Sequence, residues 1–109
     1  MTVSDTLFDD KGFIRDPDAW DSNMARLLAE QRGVASLSDD HWQLLKALRQ
    51  YYFETGTVPV MRHLCRDTGL QEHCVSELLD NPRLAWQIAG LPDPGEEART
   101  YLETSEVPD

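Results

Sequence analysis

Residues 61–80, MRHLCRDTGLQEHCVSELLD, decide the fold. Leu64 and the small Cys65 lie ahead of a turn glycine, Gly69, and Leu70, Val75 and Leu78 follow it. That spacing fits two short helices crossing steeply, with a small side chain at the crossing and apolar anchors on the second helix. The spacing speaks for helix-turn-helix geometry and against DNA reading. The second helix would expose Gln71, Glu72, His73, Ser76 and Glu77 with no Lys or Arg among them. Carboxylates facing a phosphate-lined groove repel it. The nearby cations, Arg62 and Arg66, sit on the first helix.

The same periodicity extends outward. Residues 22–32 repeat Met24, Leu27, Leu28 and Gln31 at helical spacing and stop at Gly33. Ser38 caps the next helix, with Asp39 and Asp40 in its first turn, Trp42, Leu44, Leu45, Leu48, Tyr51 and Tyr52 on its apolar face, and Gly56 at its end. Pro59 opens a third helix running to Thr68, residues 71–79 form a fourth, and residues 83–89 form a fifth closed by Gly90. At the front, TLFDDKGFIR over residues 6–15 places apolar pairs around an Asp-Asp-Lys-Gly turn, which predicts a small N-terminal β-hairpin. At the back, residues 96–109 are acidic and nearly free of core residues, which predicts a mobile tail with at most a short helix around Ala98, Tyr101 and Leu102. The expected architecture is a small, mainly α orthogonal bundle, one domain over residues 1–95 followed by the tail. Trp42, Leu45, Leu48, Leu64, Cys65, Val75 and Leu78 are its expected core.

Composition bounds the function. A chain of 109 residues and 12.4 kDa supports one modest core. No apolar run approaches a membrane span, and the start lacks a secretory pattern, so a cytoplasmic protein is expected. The net charge of −10 sits at the ends. Residues 1–22 hold two basic and six acidic side chains, and residues 93–109 hold one basic and six acidic, around a nearly neutral middle. Nucleic acid and anionic membranes are disfavoured partners, and basic protein surfaces remain open.

The reactive side chains are Cys65, Cys74, His41, His63 and His73. His63 and Cys65 are two apart, which on a helix points them about 200° apart, so they do not share a metal ion. Neither C-x-x-C nor H-x-x-x-H spacing occurs. Asp9-Asp10, Asp39-Asp40 and Glu96-Glu97 read as a turn, a cap and a tail, without the separated carboxylate partner that acid–base chemistry requires. No catalytic residue, metal or cofactor is expected. Two cysteines make no disulfide framework, so both are expected as free thiols, Cys65 buried and Cys74 partly buried, with the histidines solvated.

An ordered set of motifs resembles the DsrC/TusE family of sulfur-relay proteins. The matching residues are D-x-x-G-F at 9–13 followed by Trp20, LSDDHW at 37–42, LRQYY at 48–52, PVMRHL at 59–64, Gly69, and AGLPDP at 89–94. The resemblance implies the same helical bundle. It also implies sulfur carried on a penultimate arm cysteine, with a second cysteine ahead of A-G-L-P in DsrC proteins, delivered to dissimilatory sulfite reductase or toward tRNA thiolation. Counted from Ala89, the inner cysteine position holds Trp86 and the terminal one holds Glu97. The family's basic, glycine-containing stretch and its L-F-P-x-G-P element are replaced by LLDNPR at 78–83. The resemblance therefore implies a monomeric family member that acts by protein binding or regulation, with a sulfite reductase or sulfurtransferase complex as partner. Candidate docking residues are Arg62, Arg66, Arg83 and Trp86. Two alternatives stay open: a carrier using the Cys74 thiol, and a helix-turn-helix regulator.

Overall fold

The first described feature is a turn in place of the expected hairpin. The structure, a computed structural model, describes residues 8–34 and 36–104. A single antiparallel bridge joins Phe8 and Ile14, and no strands extend from it among the described residues. The Asp9 carboxylate accepts the N–H groups of Lys11 and Phe13, each at 2.9 Å, so the side chain closes the turn that a ladder would have closed. Thr6 and Leu7 of the expected hairpin lie outside the described residues.

Six helices follow a 3-10 turn at Pro17–Ala19: α1 (Ser22–Gln31), α2 (Asp39–Thr55), α3 (Met61–Asp67), α4 (Cys74–Leu79), α5 (Pro82–Ile88) and α6 (Glu96–Thr104). Three begin on a side-chain cap, because Asp21, Ser38 and Asn81 accept from the N–H groups of Met24, His41 and Leu84. Helices α3 and α4 begin on Val60 and His73 with no side-chain cap bond. The α4 start falls three residues after the expected one, since residues 72–73 form a turn.

Leu44, Leu45 and Leu48 of α2 join Leu64 and Cys65 of α3, Val75 and Leu79 of α4, and Leu84, Ala85, Trp86 and Ile88 of α5 in one apolar cluster. Helix α5 is enclosed, with Leu84, Ala85, Trp86 and Ile88 all buried. Trp42 and Leu78, expected in the core, are half-buried against its edge. His41, expected to be solvated, is half-buried and ties two helices together. Its Nε2 lies 2.9 Å from the Leu78 carbonyl, which can only accept, so Nε2 carries the proton and Nδ1 accepts from the Ser38 N–H.

The C-terminal segment holds the short helix that Ala98, Tyr101 and Leu102 allow. Residues 96–104 form α6, and Leu102 is 1% exposed within the core. The Tyr101 hydroxyl accepts from the Met61 N–H at 3.3 Å, joining α6 to the start of α3. One buried leucine and one hydroxyl hydrogen bond seat an otherwise acidic helix, which the sparse apolar content of the segment concealed. Residues 105–109 lie outside the described chain.

Candidate functional site

The motifs scattered along the sequence converge on the turn after α5. Helix α5 ends on Gly90 at φ +71°, with the Gly90 N–H bonded to the Gln87 carbonyl and the Leu91 N–H to that of Trp86. A Cβ built on Gly90 would fall inside the Trp20 ring, so the position requires glycine on two counts. The Trp20 indole donates to the Ile88 carbonyl at 2.8 Å. Arg49 lies flat over Trp20, 4.2 Å from the ring centroid, and donates to the carbonyls of Ala89, Gly90 and Pro17. Burial lowers the Arg49 pKa, and the charge of Asp18 pulls it back up. These contacts hold the root of the segment that leads to residue 97.

Beyond that root the chain is tied down. The Trp86 side chain is fully buried, its ring edge-on to Tyr52 at 5.5 Å and its Nε1 donating to the Pro92 carbonyl at 2.8 Å. It fills the core and offers nothing to a partner, so its place among the candidate docking residues is corrected. The Asp93 carboxylate accepts the Gly95 N–H and pairs with Arg99 at 3.3 Å, which fixes the turn into α6. Glu97 is exposed in the first turn of α6.

Neither cysteine is a free thiol. Cys65 and Cys74, nine residues apart, are joined by a disulfide, with Cα atoms 5.8 Å apart and exposures of 0% and 3%. The expectation of two free thiols is corrected, and with it Cys74 as a candidate carrier. The Gly69 turn brings the two together. Gly69 stands at φ +80°, its N–H bonds to Arg66, and the Leu70 N–H reaches back to Cys65 itself.

Arg62 and Arg66, one helical turn apart on α3, line a shallow cleft of about 310 Å³ with His63, Leu70 and Glu72. Arg83 belongs elsewhere. It donates to the Lys11 carbonyl and lies over the Phe13 ring at 5.0 Å, so it braces the N-terminal turn. The four candidate docking residues therefore form no single surface. Gln71, Glu72, His73, Ser76 and Glu77 are all exposed, a face that carries two carboxylates and no cation. Residue-by-residue reading gave no role to the Arg49–Trp20 pair and gave Gly90 only the closing of a helix. The available signal was a lone Arg on the apolar face of α2, with no carboxylate at helical spacing to pair it.

Among the described residues no helix is long and apolar enough to cross a membrane. Residues 2–96 match the protein family described as DsrC like protein. The chain is 33% identical over 95 residues to the sulfurtransferase TusE of Pectobacterium atrosepticum, covering 79% of this chain and 86% of that protein. It is 32% identical over 88 residues to the gamma subunit of the dissimilatory-type sulfite reductase of Nitratidesulfovibrio vulgaris, covering 79% and 84%. Among solved structures, the oxidized gamma subunit (DsrC) of Archaeoglobus fulgidus superposes with a TM-score of 0.68 at 26% identity, covering 82% of this chain and 89% of that one. The DsrC gamma subunit of Pyrobaculum aerophilum gives 0.69 at 32% identity, covering 82% and 83%.

Proposed function

The chain belongs to the DsrC-like protein family, and on that premise we propose that it serves sulfur relay as a docking protein that does not itself transfer sulfur. It keeps the family fold and occupies a partner's binding surface, either a sulfurtransferase complex of tRNA thiolation or a dissimilatory sulfite reductase. Occupancy regulates the relay by excluding the cysteine-bearing relative.

One observation carries this reading. The position that the family resemblance gives to the terminal cysteine is Glu97, and it lies on a helix anchored by Leu102 and Tyr101. Persulfide transfer needs an accessible, low-pKa thiol that can enter another active site. A carboxylate forms no persulfide. The inner position is a buried indole, and the two thiols elsewhere in the fold are spent on each other. A DNA-binding reading has no comparable support, because the face that would meet phosphate is acidic. The cleft at Arg62 and Arg66 is the proposed docking face, as the site where two guanidinium-bearing side chains converge on an otherwise acidic molecule.

The test has two arms. The chain is incubated with a persulfide donor and weighed, and no sulfur that can be passed to an acceptor is expected. It is also titrated into a transfer assay between a cysteine-bearing relative and its acceptor, where competitive inhibition is expected and should weaken with Arg62→Ala/Arg66→Ala. Transfer of loaded sulfur, or absence of any inhibition, overturns the reading.

A further inference from the structure

The two cysteines of this chain are buried together in the core, yet the loop they close carries most of the residues that line the cleft of α3 and the Gly69 turn. Their disulfide closes residues 65–74 into a loop. Three of the five residues lining the cleft, Arg66, Leu70 and Glu72, lie inside that loop, and Arg62 and His63 lie within one turn before it.

The helices on either side depend on that closure. Helix α3 has seven residues and α4 has six, and both start without a side-chain cap. Helices this short are marginal on their own. Cys74 is the first residue of α4, so local opening of a single short helix exposes its sulfur. Both cysteines sit among apolar neighbours where a reduced thiol also packs as a small hydrophobe. Two arrangements of the region are therefore compatible with the same core.

We propose that the Cys65–Cys74 disulfide is a reversible redox switch that sets the shape of the Arg62–Arg66 cleft. The consequence for docking rests on the functional reading above, whereas the switch itself does not. The reductant is a dithiol. One of its thiolates attacks the Cys74 sulfur, a mixed disulfide forms, and Cys65 leaves as a thiolate that takes up a proton. The second thiol of the reductant then attacks its own sulfur in the mixed disulfide and releases Cys74, which is protonated. Two electrons and two protons pass to the cysteine pair, and the reductant becomes a disulfide. A disulfide oxidant restores the bond by the reverse steps.

The full chain is equilibrated in glutathione redox buffers and with dithiothreitol, alkylated, and weighed. Two thiols should appear together and disappear together on reoxidation. The reduced chain should lose roughly 10–20 °C in Tm. Amide exchange over residues 65–79 should accelerate at least tenfold on reduction while residues 82–91 stay protected. The Cys65→Ala/Cys74→Ala variant should reproduce the reduced exchange pattern in any buffer. A disulfide that resists dithiothreitol until the chain is denatured overturns the switch, as does reduction that leaves exchange over residues 65–79 unchanged. Running the transfer-inhibition assay on both forms separates the two readings. Inhibition by both forms alike removes the switch from docking, and inhibition by neither removes the docking reading while the exchange result still stands.

Discussion

The root of the α5–α6 connection and the α3–α4 pair solve the same problem by different means. Both must hold a sharp change of chain direction in place. At the root, Arg49 gathers three carbonyls from two distant segments, Trp20 gathers a fourth, and Gly90 admits the ring against the backbone. Many modest contacts over-determine the geometry, and each is non-covalent. At the α3–α4 pair, neither helix has a side-chain cap at its start, and a covalent bond reinforces a turn otherwise closed by two backbone hydrogen bonds. The first region fails only when its packing is violated. The second adds to its packing and turn hydrogen bonds one covalent bond that chemistry can break.

Trp86→Cys should break the packed region hardest. It restores a sulfur at the family's inner position but removes most of a fully buried indole, at a cost of about 4 kcal/mol in denaturant unfolding. The new thiol should stay unmodified by alkylating reagent in the native state, and rapid native modification would show that the site is open. Gly90→Ala should cost about 3 kcal/mol, since the new methyl meets Trp20 at a positive φ. A loss under 1 kcal/mol would mean that Trp20 can step aside.

Most of the fold was legible in the sequence because helical periodicity and caps are local signals. The end of α1 and both boundaries of α2 follow directly from Gly33, Ser38 and Gly56. What was not legible depended on contacts between distant residues. The Asp9 side chain replaced a strand ladder, Leu102 seated α6, and the Gly69 turn delivered Cys65 to Cys74. The candidate site was half legible. Glu97 and Trp86 followed from the family resemblance, by counting from Ala89, but burial of Trp86 and the clamp of Arg49 needed three dimensions.

The stapled region should respond more mildly than the packed one. Removing the disulfide by Cys65→Ala/Cys74→Ala should cost about 2.5 kcal/mol, the loop-closure entropy of a short loop. A cost equal to that of Trp86→Cys would erase the contrast between the two regions. Smallest of all, Val60→Asp should supply the cap that α3 lacks and remove a 45% exposed apolar side chain. A gain of about 1 kcal/mol in thermal unfolding is expected, larger in the reduced chain than in the oxidised one. An equal gain in both forms would show that capping and closure act independently.

Helix α6 also sets how far residues 96–104 extend from the core. Its nine residues, drawn out straight, would span about 30 Å, and coiled they advance about 13 Å. A tether of the longer kind searches a volume and can thread a narrow channel. A helix seated on its own body by Leu102 and Tyr101 trades that reach for a fixed position.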